Sequence, residues 1–273
     1  MHEQFSFSIG ADMHAGDNCL AMELSTTHFS FCIYNPDDQR LLELKRYVFN
    51  ELDEKELQEI MEINPQLQNS FYKIITGLDF GFSSLLPADK DNGDAAPLMY
   101  LENADQQDHV ITEIIEERQL ANMYTVAPGI LTWLVHHFPS SVYLHAHTVQ
   151  IKSVEGSFEQ GLLRVNIGEK IFTVQAYKNE NLLLSKTYSY RATADMAFYL
   201  LKICEVFGFA QEQVLLQLSG LIDAQSKLYR ELYDYFLHIS FKAANWSDTL
   251  SDLPSHYFTS LNELIQCELF QEA

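Results

Sequence analysis

From Cys19 the chain runs in short apolar stretches cut by turn residues. Cys19–Ser25 and Phe29–Tyr34 read as strands about a tight turn at Thr26 and Thr27. Asn35-Pro36-Asp37-Asp38 signals a second turn, and Leu41–Phe49 a third strand. The period then changes. Over residues 51–64 (ELDEKELQEIMEIN), Leu52, Leu57, Ile60 and Met61 recur at helical spacing. Acidic residues crowd the first turn, where the helix dipole favours them, and Asn64-Pro65 stops the helix. Residues 1–16 show no such pattern and are expected to form a loose arm.

Phe71–Thr76 and Phe80–Leu86 read as further strands ending at Pro87, and 88–96 as a polar loop. Residues 109–118 fit helix and strand equally. Ala121–Val126 is an expected strand, Pro128–His137 a helix opened by proline, and Ser141–His147 extended, with 148–160 leading into the second half. There Leu162–Ile167, Ile171–Tyr177 and Leu182–Tyr190 are expected strands. Thr193 is the expected cap of a helix carrying Met196, Tyr199, Leu200 and Ile203 on one face. Val214–Leu218 reads as a buried parallel strand, 223–237 as a helix, His238–Phe241 as a strand and 256–270 as a final helix.

Two segments look like copies of one unit. A slide of 142 places Leu20 on Leu162 and Phe29 on Ile171. Removing one residue in the second turn brings Lys45 onto Lys186, Tyr47 onto Tyr188 and Phe49 onto Tyr190. Each copy is a three-stranded antiparallel meander followed by a helix, which constrains the fold more than anything else in the chain.

Composition narrows the function classes. At 273 residues, with 47% hydrophobic residues, 18 Phe and 14 Tyr, the chain can bury one large core or two ordinary ones. A net charge of −21 argues against nucleic acid and anionic membrane surfaces, whose phosphates would be repelled. Cys19, Cys32, Cys204 and Cys267 share no CxxC spacing and read as free thiols in a reducing cytoplasm. The N-terminal segment has no basic region followed by an apolar run, so no signal peptide is expected, and no apolar stretch is long enough to span a membrane.

A meander, a helix, then alternating strand and helix, done twice, resembles the actin-like ATPase fold of ribonuclease H-like topology. That superfamily includes actin, hexokinases, the heat-shock chaperone ATPases and the actin-like proteins of type IV pilus assembly. The resemblance covers nearly the whole chain and implies an α/β fold in two lobes, residues 1–155 and 156–273. More closely, the chain is similar to an uncharacterised bacterial family, a domain of unknown function built on this fold. The carrying segments are FSSLLP at 82–87, MYLEN at 99–103, MYTVAPGILTWLVHHFP at 123–139 and HAHT at 145–148.

In active members of that superfamily the first hairpin of each half grips phosphate through backbone N–H groups, an aspartate on its first strand positions the metal, and a Gly-Gly loop lies against the nucleoside. By this resemblance the cofactor-binding positions are Glu23, Ser25, Thr26 and Thr27 in the first hairpin, Asn166, Gly168 and Lys170 in the second, and Ser219 with Gly220 in the third element. Each element is half present. Glu23 adds a methylene to the carboxylate, Ser25 replaces glycine, Asn166 loses the charge, Glu169 adds negative charge at the turn, and Ser219-Gly220 keeps one glycine of two. The expectation is therefore a protein without ATPase or kinase activity and without a cofactor. It would hold an unidentified protein partner in its cleft or on a domain face. The alternative is a regulatory switch that binds ATP with magnesium weakly and does not hydrolyse it efficiently.

Other constellations are weaker. His136, His137, His145 and His147 lie close in sequence and could supply three metal ligands, but the first two fit a solvent-facing helix end. Glu113, Glu116 and Glu117, beside Arg118, read as a solvated face. Trp133 is expected in the core and Trp246 in a partly exposed loop. Tyr229 and Tyr233 line one helix face, with Tyr235 on the same helix. No GxSxG, HExxH, Walker A or Rossmann pattern occurs.

Overall fold

The computed structural model of the chain describes residues 1–9, 15–80, 83–90, 108–246 and 253–269. The segment MYLEN, Phe82 of FSSLLP and residues 91–96 of the polar loop lie outside them. The chain divides into two units. The first holds Met1–Ser153, Trp246–Leu250 and Leu261–Ala273, the second Val154–Asn245 and Ser251–Ser260.

The first element is a strand, β1 (His2–Ser8), where a loose arm was expected. It pairs antiparallel with the third meander strand, Phe5 opposite Arg46. The meander itself is β2 (Cys19–Ser25), β3 (His28–Asn35) and β4 (Arg40–Val48). Helix α1 (Glu54–Ile63) follows, its first turn closed by the Asp53 carboxylate accepting from Glu56 N at 2.8 Å. Buried Asn64 finishes it. Its Nδ2 donates to Ile60 O at 2.8 Å, and its Oδ1 accepts from Lys45 Nζ and Tyr47 OH, both at 3.0 Å. Strand β5 (Lys73–Asp79) runs parallel to β2.

The ambiguous segment 109–118 is a strand, β7 (His109–Ile115), and a single 3₁₀ turn. With β6 (Ser83–Pro87) and β8 (Leu120–Val126) it forms a three-stranded sheet of order β6-β8-β7. Helix α2 (Pro128–His137) opens on Pro128, and β9 (Ser141–His145) joins the main sheet parallel to β5. The main sheet has order β1-β4-β3-β2-β5-β9. Alternation aims Leu20, Met22, Leu24, Phe29, Phe31 and Ile33 at one core, which α1 and α2 close with Leu57, Ile60, Met61, Trp133 and Leu134. A helix, α3 (Ala146–Lys152), occupies residues expected to be extended or connecting.

The second unit is built on β10 (Phe158–Ile167), β11 (Ile171–Asn179), β12 (Asn181–Ser189), β13 (Leu215–Gly220) and β14 (His238–Phe241). Their order is β12-β11-β10-β13-β14, antiparallel through the meander and parallel from β10 to β14. Helices α4 (Thr193–Phe207) and α5 (Lys227–Tyr233) cover one face with Met196, Leu200, Ile203, Leu228 and Leu232. Thr193 is the first residue of α4, not its cap. Asp195 performs the capping by accepting from the backbone of Arg191 and Ala192 at 2.8 and 2.9 Å. Helix α5 is shorter than 223–237, because Ser226 caps it late and Asp234 ends it, so Tyr235 lies beyond it. Helix α6 (Thr259–Leu269) ends the described chain. Among the described residues no helix is long and apolar enough to cross a membrane.

The strand pairing corrects the alignment of the two copies. Leu24 opposes Phe29, and Ile167 opposes Phe172. Equivalent residues in these strands therefore lie 143 apart (167 − 24). Leu20 matches Leu163, both in a core, rather than Leu162, and Phe29 matches Phe172. Past the second turn Tyr47 does match Tyr188, because Phe29 opposes Tyr47 and Phe172 opposes Tyr188. That turn is therefore shorter by two residues, not one.

Candidate functional site

The corrected register fixes the comparison of the hairpins. Each turn has four residues between its closing pairs, so Ser25-Thr26-Thr27-His28 corresponds to Gly168-Glu169-Lys170-Ile171. Glu23 stands where Asn166 stands in the other copy. Glu23 faces Gly77 on β5, and Asn166 faces Ser219 on β13.

In the first hairpin, Ser25 turns its hydroxyl back into the turn. Ser25 Oγ accepts from Thr27 N at 3.2 Å and from His28 N at 3.0 Å. It lies 2.6 Å from His28 Nδ1 and 3.4 Å from Thr27 Oγ1. The imidazole continues toward Glu23, its Nε2 3.9 Å from Oε2. Ser25 is completely buried, Glu23 and His28 nearly so, and Thr26 is exposed at the tip. Serine, histidine and glutamate in series bring hydrolytic triads to mind, yet Ser25 has no surface on which a substrate could be attacked. The arrangement is a polar plug that fixes the turn.

His28 escaped the sequence reading. Its signal was its place across the turn from Ser25. The same face of the sheet carries a second buried polar pair. Arg46, on β4, donates to Ser30 Oγ at 3.1 Å and to Gln4 Oε1 at 2.9 Å. Ser30 opposes Glu23 in the ladder.

The second hairpin is held by its backbone and by a tyrosine from beyond the turn. Gly168 N donates to Ile171 O at 2.9 Å, and Tyr190 OH donates to Gly168 O at 2.7 Å. Glu169 and Lys170 are exposed. Asn166, Ser219 and Gly220 meet beside this turn: Ser219 Oγ lies 3.3 Å from Asn166 Oδ1, and Leu221 N donates to Ile167 O at 2.7 Å. Gly220 has φ +79°, and a Cβ there would lie 2.3 Å from Ile167 O and 2.6 Å from Asn166 Oδ1. Only glycine fits that approach.

The other candidates fall in different places. At the end of α2, His136 is exposed and His137 stacks on buried Trp133 at 4.3 Å, while His145 and His147 are sealed inside the first unit. Among the described residues no group of three or more His, Cys, Asp or Glu side chains could hold a metal ion. All four cysteines are buried free thiols, with Cys19 and Cys204 each pushed up to about 11 by burial. Glu116 and Glu117 are exposed as expected. Glu113 is not on a solvated face: its carboxylate is turned inward, and burial raises its pKa. Tyr229 packs on Phe241 at 5.5 Å while Tyr233 is mostly exposed, and Trp246 is half-buried 6.1 Å from Tyr34.

Comparison with known proteins gives the frame a name. A Bacteroides thetaiotaomicron VPI-5482 protein with actin-like ATPase fold and unknown function matches at TM-score 0.72 and 19% identity, over 84% of this chain and 91% of its own. PilM of the PilM–PilN type IV pilus biogenesis complex matches at TM-score 0.64 and 13% identity, over 90% and 97%. The ethanolamine utilization protein EutJ from Carboxydothermus hydrogenoformans matches at TM-score 0.52 and 7% identity, over 90% and 88%. The fold is the actin-like ATPase fold. No curated protein matches the sequence. The model of the DUF3822 family, proteins of unknown function, matches residues 11–239, and the chain belongs to that family.

Proposed function

We propose that this protein is a non-catalytic interaction scaffold of the cytoplasm, an actin-like frame that holds a protein partner. The observation that carries this reading is the Ser25 plug. The Thr27 and His28 amides, which would have to turn outward to grip a phosphate, already donate to Ser25 Oγ. The second hairpin supports the reading, because Gly168 N is spent on Ile171 O and Asn166 brings no charge to hold magnesium. ATP with magnesium therefore does not fit these residues as they stand. The charge of −21 favours a basic partner surface over nucleic acid. PilM, of the same fold, is found in a complex with PilN, so the frame is compatible with a protein partner.

A second reading, a nucleotide-bound switch, draws on the second unit. Gly220 keeps its glycine-only conformation there, and Lys170 offers exposed positive charge at the turn. Thermal unfolding with and without millimolar Mg-ATP separates the two, since a ligand bound by the native state alone raises the midpoint. The scaffold reading expects no shift. A saturable shift moves the assignment to the switch, and ATP turnover that falls in E23A overturns both.

A further inference from the structure

Three polar atoms with no hydrogen-bond partner among the described residues belong to neighbouring side chains of the first unit: Glu113 Oε2, Asn122 Oδ1 and His145 Nε2. The fold brings them there by register. Glu113 on β7 opposes Asn122 on β8, and Tyr124 lies two residues further along the same face. Glu113 Oε1 accepts from Tyr124 OH at 2.5 Å and from His145 N at 2.8 Å, where β9 passes into α3. Asn122 Nδ2 donates to Thr148 Oγ1 at 3.0 Å, and the Thr148 hydroxyl in turn bonds the Glu113 carboxylate. The His145 ring lies 4.7 Å from the Tyr124 ring. Asn122 and His145 are 0% and 1% exposed.

The chemistry of the three atoms is complementary. His145 Nδ1 accepts from His147 N at 3.1 Å, so the ring proton sits on Nε2 and that atom is a donor. Asn122 spends its amide nitrogen on Thr148, which leaves Oδ1 as an acceptor. Glu113 Oε2 accepts when ionised and donates when protonated. One donor and two acceptors, or two donors and one acceptor, are both met by a single water molecule. A metal ion is not, because the nitrogen it would take carries the proton.

We propose that Glu113 Oε2, Asn122 Oδ1 and His145 Nε2 bind one internal water molecule, which joins the three-stranded sheet to the start of α3. Buried polar groups of native proteins are nearly always paired, and polar atoms left without a partner on neighbouring buried side chains are where internal water is retained.

Two measurements on the full-length protein test this. Crystal diffraction fine enough to show ordered water should reveal one solvent peak about 2.7–3.2 Å from all three atoms. Nitrogen-15 histidine NMR should find the His145 proton on Nε2, protected from exchange and showing a nuclear Overhauser effect to a long-lived water. N122L, of similar volume but without the acceptor, should lose the peak while keeping the Nε2 tautomer. If that variant does not fold, the wild-type measurements still decide. An empty space, direct bonds among the three side chains, a peak at metal–ligand distance or a proton on Nδ1 would each overturn the proposal.

Discussion

The two hairpins hold equivalent places in their sheets and are fixed by opposite means. In the first, a side chain does the work. Ser25 Oγ gathers the amides of Thr27 and His28, and His28 carries the contact on toward Glu23. In the second, no side chain of the turn takes part: Gly168 bonds Ile171 through the backbone and accepts from Tyr190 OH beyond the turn, and Gly220 lets β13 run close against Ile167. The difference shows how one hairpin frame can carry two kinds of turn without a change of length. One copy fills its turn with a hydroxyl. The other has glycine in its turn and the uncharged amide of Asn166 where the first has Glu23.

The largest effect tests the backbone side of that contrast. G220A must place a methyl group at φ +79° and 2.3 Å from Ile167 O. Strain and overpacking together should cost about 3–5 kcal/mol, read as a fall in the urea midpoint or as loss of soluble protein. An unchanged midpoint would mean that β13 can move away from β10, and that the glycine is not what holds this element.

S25A tests the other side. It leaves the Thr27 and His28 amides and His28 Nδ1 without their common partner in a buried turn. A loss of about 1–3 kcal/mol is expected in urea titration. A variant as stable as wild type would show that water replaces the hydroxyl readily, and the plug would then be no obstacle to an anion.

The units should also differ in acid. His145 and His147 are buried and neutral, burial holding His147 down to about 4 and His145 well below its usual value. Their folded pKa values lie below the unfolded ones, so their contribution is complete above about pH 6.5 and is lost as pH falls from there toward 4. Glu113 works against them, since its pKa is raised and protonation favours the folded state. His147 alone should lose about 1–2 kcal/mol between pH 6.5 and 5, at about 1.4 kcal/mol per pH unit for each proton; His145 adds to that loss and Glu113 offsets part of it. Hydrogen exchange at pH 5 should therefore open β7–β9 and α3 before the second unit, whose His238 is exposed and whose His256 is only partly buried. Opening of the second unit first would reverse the comparison.

Much of this frame was legible before any coordinates. Turn residues at 35–38 and the change of period at 51–64 marked the meander and α1, because each element obeys one local rule. The misses have physical causes. Helix α3 is buried over Ala146–Ile151 and so shows no polar face. Strand β1 takes its place only by pairing with β4, forty residues away. The copies were set one residue out because β10 carries Leu162 and Leu163 side by side, and a slip of one turns every side chain to the opposite face. At the candidate site the residue types were visible, but their bonds were not. Glu113 read as solvated because the groups that bury it, Tyr124, His145 and Thr148, come from β8, β9 and α3.

The smallest expected effect sharpens the comparison most. Gly168 occupies the position of Ser25, yet its φ is not positive, and a Cβ would meet Ile171 O at 3.2 Å. G168A lowers the entropy of the unfolded chain, which stabilises the fold, and loses part of that gain in the tight contact, so stability should change by less than about 1 kcal/mol in either direction. G168S goes one step further and supplies a hydroxyl at the site equivalent to Ser25 Oγ. The strand register is the same and the four-residue turn is the same length. The side chain should therefore fold back over the turn as Ser25 does, which a crystal structure of the variant would show. A hydroxyl that points to solvent instead would locate the plug in His28, whose counterpart Ile171 has nothing to offer it, rather than in the serine.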